Sequence, residues 1–257
     1  MRLALVSDIH GNLAALEAVR ADIRRRGVDA VLNLGDSLSG PLLPLETAQC
    51  LMAEGWFSLA GNHERQMQAP LAEQGASDAH ASAQLGEAER AWMAALRPWQ
   101  AWSDEVFLCH GTPASDAAYL METVQPVAPA QGVLRMATQA ELDERLGTQG
   151  AVLKASLIAC GHTHVPRVMR SARGACVVNP GSVGRPAYDD TRPLCHRVEM
   201  GSPDARYAIV ERHRQGWTVS LLAVPCDHRA MAELARQRGR AEWAHALLTG
   251  FMPLSAG

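Results

Sequence analysis

Short apolar runs recur along the chain, and each of the first six ends in a glycine or a polar cluster. LALVS (3–7), AVLNLG (30–35), WFSLAG (56–61), VFLCHG (106–111), SLIACG (156–161) and ACVVNPG (175–181) are rich in Val, Leu and Ile and read as strands. Two further runs, RYAIVER (206–212) and WTVSLLAV (217–224), have only HRQG (213–216) between them and predict a hairpin. Between the early runs the period changes. Leu13, Leu16, Val19 and Ile23 share one helical face over 12–26, which stops before Gly27, and a second helical pattern fills 44–54 between Pro44 and Gly55. Strand alternating with helix is the α/β signature.

Residues 65–104 and 113–155 interrupt that rhythm with Ala-, Glu- and Gln-rich stretches that include Trp92, Trp99 and Trp102, and they read as helices laid over or beside the sheet. The expected organisation is one domain over residues 1–257, with those two segments as helical cap-like inserts and a closing helical segment at 227–248. The Arg-rich end, Arg229, Arg236, Arg238 and Arg240, reads as a solvated helix face.

The polar blocks at the ends of the runs carry the chemistry: SDIHGN (7–12), GDS (35–37), GNHE (61–64), HGT (110–112), GHTH (161–164) and NPGS (179–182). Half of the ten histidines sit in these blocks. Strand ends on one edge of an α/β sheet converge in space, and ligands bind there. In an extended DIH, side chains two apart point the same way, so Asp8 and His10 can reach one ion while Ile9 turns into the core; by the same geometry His162 and His164 share a side. Imidazole combined with carboxylate and amide oxygen suits Mn²⁺, Fe²⁺ or Zn²⁺ better than Ca²⁺ or a thiolate-bound zinc. Seven candidates, Asp8, His10, Asp36, Asn62, His110, His162 and His164, are too many for one tetrahedral ion and match two ions sharing a bridging carboxylate.

Composition narrows the partners. With 47% apolar and 20% charged residues in 257, the chain reads as an ordinary globular protein with a sizeable aliphatic core. A formal charge of −3 offers no track for double-stranded nucleic acid and no attraction to an anionic membrane. Asp8 and His10 interrupt the first apolar run too soon for a signal peptide, no run reaches membrane-spanning length, and a cytoplasmic protein is expected. The six cysteines contain no CxxC pair and read as reduced thiols, Cys109 facing the core and Cys160 buried near the site.

The ordered set DIH, GDS, GNHE, HG and GHTH resembles the calcineurin-like metallophosphoesterase superfamily over residues 7–182. SDIHGNLAAL and NPGSVGRP resemble its small bacterial phosphodiesterase-like branch more than the purple acid phosphatases, while GNHE keeps a histidine that some members of that branch replace by cysteine. The resemblance implies two packed β-sheets (a β-sandwich) flanked by helices, with a dimetal site at one edge. It implies that Asp8, His10 and His164 hold one ion, that Asp36 bridges, and that Asn62, His110 and His162 hold the other, the ions being Mn, Fe, Zn or Ni. It further implies hydrolysis of a phosphate ester by metal-bound hydroxide, with Asp36 and His63 as the catalytic residues and His63 the general acid. Asn62, His63, Asn12 and Arg185 are the candidates for binding substrate, although Asn12 reads first as an N-cap and Arg185 equally as a surface residue. The expected substrate is a small phosphate diester. The alternatives are a monoester, such as a phosphoprotein, or a nucleotide or dinucleoside polyphosphate. A non-catalytic scaffold, as the same fold provides in a retromer subunit, predicts eroded ligands, and here no ligand position is missing.

Overall fold

The structure is a computed structural model and describes residues 1–254. Strand and helix alternate first: β1 (Arg2–Val6), α1 (Leu13–Arg26), β2 (Ala30–Asn33), α2 (Pro44–Glu54) and a short β3 (Phe57–Ser58). Three helices come next, α3 (Asn62–Gln66), α4 (Ala76–Gln84) and α5 (Glu87–Ala95), leading to β4 (Trp99–Ala101) and β5 (Val106–Cys109). A hairpin of β6 (Glu122–Ala128) and β7 (Gln131–Met136) precedes α6 (Gln139–Leu146) and α7 (Gly150–Lys154). Then come β8 (Leu157–Ala159), β9 (Arg167–Arg170), β10 (Cys176–Asn179), the pair β11 (Ala187–Asp190) and β12 (His196–Glu199), and the long hairpin β13 (Ala205–His213) and β14 (Gly216–Val224). Helices α8 (His228–Gln237) and α9 (Ala241–Thr249) close the chain.

Two five-stranded sheets result, ordered β14-β13-β1-β2-β3 and β4-β5-β8-β10-β9. In each, three strands run parallel, β1-β2-β3 in the first and β5-β8-β10 in the second. Parallel strands put their C-terminal ends on a common edge, which is why the polar blocks of the sequence meet.

The sheets pack face to face through Leu3, Leu5, Leu32 and Leu34 of the first, against Val106, Leu108, Leu157, Ala159 and Val178 of the second. The outer face of the first sheet, with Ala4 and Val6, is covered by Leu16, Val19 and Ile23 of α1. On the second, Phe107, Cys109, Ile158 and Val177 lie under Leu142, Leu146 and Val152 of α6 and α7. Strands covered on both faces need apolar residues at every position, which accounts for the unbroken runs. Each leucine fully buried this way contributes about 1.5–3 kcal/mol. Helix α1 ends as its sequence predicts: Gly27, at φ 68°, donates its N–H to Ile23 O.

Three expectations need correction. Segment 113–155 is not helical throughout, because residues 122–136 form the β6-β7 hairpin; Val124 and Thr123 favour extended backbone and Pro126 forbids a helix interior. The helix-forming composition is confined to α6, where Thr138 and Glu141 make a capping box, and to α7. Segment 65–104 ends in β4, an edge strand of the second sheet whose Trp99 stacks on Phe107 at 5.8 Å. The closing segment is two helices separated at Gly239, φ 73°, and its arginines are not all solvated. Arg238 donates to the carbonyls of Pro41 and Leu42, and Arg240 reaches Ser77 Oγ at 3.2 Å and Glu242 at 2.6 Å; Arg229 and Arg236 are exposed.

All six cysteines are free, and no helix among the described residues is long and apolar enough to cross a membrane. Leu108→Ala, in the seam between the sheets, should cost about 2–5 kcal/mol in urea unfolding. Leu153→Ala, at a position 45% exposed, should stay within about 0.5 kcal/mol.

Candidate metal centre

The C-terminal ends of five parallel strands deliver the polar blocks: β1 leads to Asp8 and His10, β2 to Asp36, β3 to Asn62 and His63, β5 to His110, and β8 to His162 and His164. The backbone there is not extended. Six non-glycine residues have positive φ among the described residues, and five of them are Asp8 (55°), His10 (53°), Asp36 (53°), His162 (69°) and His164 (59°). Each left-handed residue costs roughly 1–2 kcal/mol, and such strain gathers where function needs a side chain aimed against its preference. Extended alternation therefore does not hold for DIH and HTH, and pairing is set by the turns instead.

Backbone and glycine contacts hold these turns. Asp8 N donates to Gly35 O at 2.9 Å, His10 N to Asp36 O at 3.0 Å, and Gly161 N to His110 O at 2.7 Å. Glu64, fully buried, accepts from Asp36 N (2.8 Å), Ser37 N (2.8 Å) and Gly61 N (2.7 Å), welding the GDS loop to the GNHE loop. A Cβ at Gly61 would lie 2.1 Å from Asp36 Oδ1 and one at Gly161 would lie 2.0 Å from Ser7 Oγ, so only glycine permits these approaches.

Two triads result. Asp8, His10 and His164 place ligand atoms within 4.8 Å of one another, and Asp36, His110 and His162 do the same. His162 and His164, two residues apart, thus fall in different triads. His10 Nδ1 donates to Ser39 O, His110 Nδ1 to Leu34 O and His164 Nδ1 to Arg185 O, each at 2.8 Å. A carbonyl only accepts, so Nδ1 carries the hydrogen and Nε2 is left to face the centre. His10 Nε2 and His164 Nε2 face each other at 3.2 Å, an arrangement that a shared cation relieves. Asn62, on α3, has a buried carboxamide oxygen that accepts no hydrogen bond. These nitrogen and oxygen donors fit two divalent ions.

Electrostatics agrees with that use. Burial first, then the neighbouring His164, pushes His10 well below the usual imidazole range. Burial and then His110 lower His162 to about 4. Both therefore present neutral rings. His110 behaves oppositely: despite burial, the Asp36 carboxylate, 3.1 Å from its Nε2, raises it to about 10. Asp36 in turn stays well below the carboxylate range in spite of burial because His110 and His63 face it.

Beside the triads lies a cavity of about 200 Å³ bordered by His10, Asp36, Asn62, His63, Arg185 and Tyr188. His63 donates its backbone N–H to Asp36 Oδ1 at 3.0 Å, and its Nδ1 lies 2.7 Å from Asp78 Oδ1. Against the effect of burial, Asp36 and Asp78 raise its pKa. The guanidinium of Arg185 sits 4.4 Å over the Trp243 ring and 5.3 Å over that of Tyr188, and burial lowers its pKa to about 10. Trp243, on α9, also meets the His10 ring edge-on at 6.0 Å.

Asn12 takes the N-cap role that its sequence context suggests first. Its Oδ1 caps α1 through Ala15 N at 3.1 Å, its Nδ2 donates to Gly184 O at 3.0 Å, and at 2% exposure it does not border the cleft. Asp78, Tyr188 and Trp243 escaped sequence reasoning because each lies in a stretch without a motif and reaches the site only through folding.

A model of the calcineurin-like phosphoesterase superfamily domain matches residues 1–200. The metallophosphoesterase of Sphaerobacter thermophilus has a similar fold, with a TM-score of 0.71 and 24% identity over 97% of this chain and 99% of that one. A hypothetical protein of Pyrococcus horikoshii OT3 matches with a TM-score of 0.71 and 16% identity over 98% and 99%. An uncharacterized protein of Methanocaldococcus jannaschii is 39% identical over 62 residues, 24% of this chain, and the match spans 26% of that protein's length.

Without ions, protonated His110 beside Asp36 stabilises the fold at pH values below 6.5 where Asp36 stays ionised, and its contribution is lost as pH rises through about 10. A cation entering the second triad must displace the shared proton. Manganese binding near pH 8 should therefore release a proton, and its affinity should rise by up to about tenfold per pH unit in that window. Calorimetry in buffers of different ionisation heat measures both quantities.

Proposed function

The chain belongs to the calcineurin-like phosphoesterase superfamily and is a metal-dependent phosphoesterase; from that premise we propose that it hydrolyses phosphodiesters in the cleft where the two triads meet. The observation that carries the reading is the pair of triads, in which backbone carbonyls turn the Nε2 atoms of three of the four histidines inward. In this reading Asp8, His10 and His164 would hold one ion and Asn62, His110 and His162 the other, with the Asp36 carboxylate available to both. Two divalent ions, when bound, supply Lewis acidity that draws charge from phosphoryl oxygens and acidifies water. Manganese, iron, zinc and nickel all suit the donors.

The chain's own groups do the rest. Arg185, held over the Trp243 ring, receives a phosphoryl oxygen, and one half-buried guanidinium at the wall matches the single charge of a diester. His63 gives a proton to the leaving oxygen. Asp78 fixes its ring through Nδ1 and keeps it charged to higher pH, leaving the Nε2 proton to be transferred. Asn62 doubles as a contact for substrate. We place this activity in the cytoplasm, where six free thiols remain reduced. We also read residues 1–257 as one domain, the last three of which lie outside the described residues, since Trp243 from α9 packs on His10 from the first block.

Asp36→Asn should lose both metal content and turnover. His63→Ala should keep its metal and lose about 10²- to 10⁴-fold in kcat, most on substrates with poor leaving groups. Elemental analysis beside bis-p-nitrophenyl phosphate hydrolysis separates the two, and equal metal loss would make His63 a ligand instead.

A further inference from the structure

Past His162 the cleft opens into a second cavity of about 660 Å³, more than three times the volume beside the triads. The two share Asn62, Gln66, His162, Asp190 and Arg192 as walls, so a molecule whose phosphorus sits at the triads can extend into it. Its size is that of a pocket for a whole organic group.

Several of the charges around this cavity are matched within the protein, while Asp190 and Arg192 stand where it meets the smaller one. Arg65 forks onto Asp116 with Nε at 2.7 Å and a terminal nitrogen at 2.9 Å. Arg145 donates to the Leu120 and Glu122 carbonyls and to Thr123 Oγ1, and the Glu122 carboxylate pairs with Arg167 Nε at 2.7 Å. Between these groups the wall offers an apolar surface, Ala117, Ala118, Val124, Pro193 and the ring of Tyr119. Against those side chains an uncharged ring buries apolar surface.

Tyr119 is fixed for that purpose. Its ring centroid lies 5.1 Å from that of His162, at the junction between the two cavities. His196 Nδ1 donates to Leu194 O at 2.7 Å, which leaves its Nε2 to accept from the Tyr119 hydroxyl at 3.0 Å. The Tyr188 hydroxyl completes the chain at 2.9 Å from that of Tyr119. A ring anchored at its hydroxyl gives a stacking surface at little entropic cost.

We propose that this cavity is a subsite for one ester group of the substrate, a nucleoside whose flat ring lies against Tyr119, so that the substrate class is a nucleoside phosphodiester. The proposal rests on the phosphodiesterase reading for its chemistry, but its test does not require turnover.

The test uses the manganese-loaded full-length protein and two non-hydrolysable probes: the thymidine phosphonate with carbon in place of the 5′ ester oxygen, and methylphosphonate. Calorimetry should show the thymidine compound binding about tenfold or more tightly than methylphosphonate, the scale of one base stacked on an aromatic ring. In Tyr119→Ala that ratio should fall toward one. Ala117→Trp, which fills the cavity from an exposed position, should lower it in the same way without disturbing the hydroxyl chain. General damage to the site would weaken both probes alike and leave the ratio standing. A wild-type ratio near one, or a ratio that survives both variants, overturns the subsite. Failure of the metal-loaded protein to hydrolyse bis-p-nitrophenyl phosphate would sink the diesterase reading separately, and a ratio lost in the variants would still place the nucleoside in this cavity.

Discussion

Everything at the site depends on the dry contact between the two sheets. Each triad is assembled across it: Asp8 and His10 from the first sheet meet His164 from the second, and Asp36 from the first meets His110 and His162 from the second. Leu5 and Leu34 on one side and Leu108 and Ala159 on the other therefore set the separation of donor atoms that have no covalent tie to each other. Interiors packed at crystal-like density deform little, so this separation holds before any ion arrives.

The second requirement is strain, and the protein meets it locally. Five left-handed residues cost several kcal/mol together by the usual estimate for such backbone, and three N–H groups converging on buried Glu64, with the carbonyls that orient three imidazoles, offset part of that cost. Burial and the charge of Asp36 raise the Glu64 pKa, so this carboxylate is itself held under tension by the site it organises. Rigid turns over a rigid seam give the preorganisation that charge stabilisation at phosphorus needs.

The parts outside the signature have a different task. The C-terminal helices bring Trp243 under Arg185 and against His10, while Tyr188 from β11 borders the cavity beside the triads and Tyr119, just before the β6-β7 hairpin, lines the one past His162. The candidate donors are thus concentrated at the parallel strand ends, and much of the cavity walls comes from the inserts and the closing segment. That division suits a fold in which strand ends are constrained by the core and inserted segments are free to differ.

Much of this was legible in one dimension. Strands buried on both faces demand unbroken apolar runs, so β1, β2, β5, β8 and β10 could be read directly, and a strand end followed by carboxylate, amide or imidazole announces a donor wherever it occurs. The hairpin at 122–136 was obscured because Ala- and Glu-rich neighbours outweighed the local signal of Thr123, Val124 and Pro126. The identity of the donors is a property of local sequence and was determined there. Which donors share an ion, which carboxylate steadies His63, and which rings border the substrate cavity are through-space relations; left-handed turns, helix α4 and a helix beginning at Ala241 decide them, and only the packed chain brings those groups within a few ångströms.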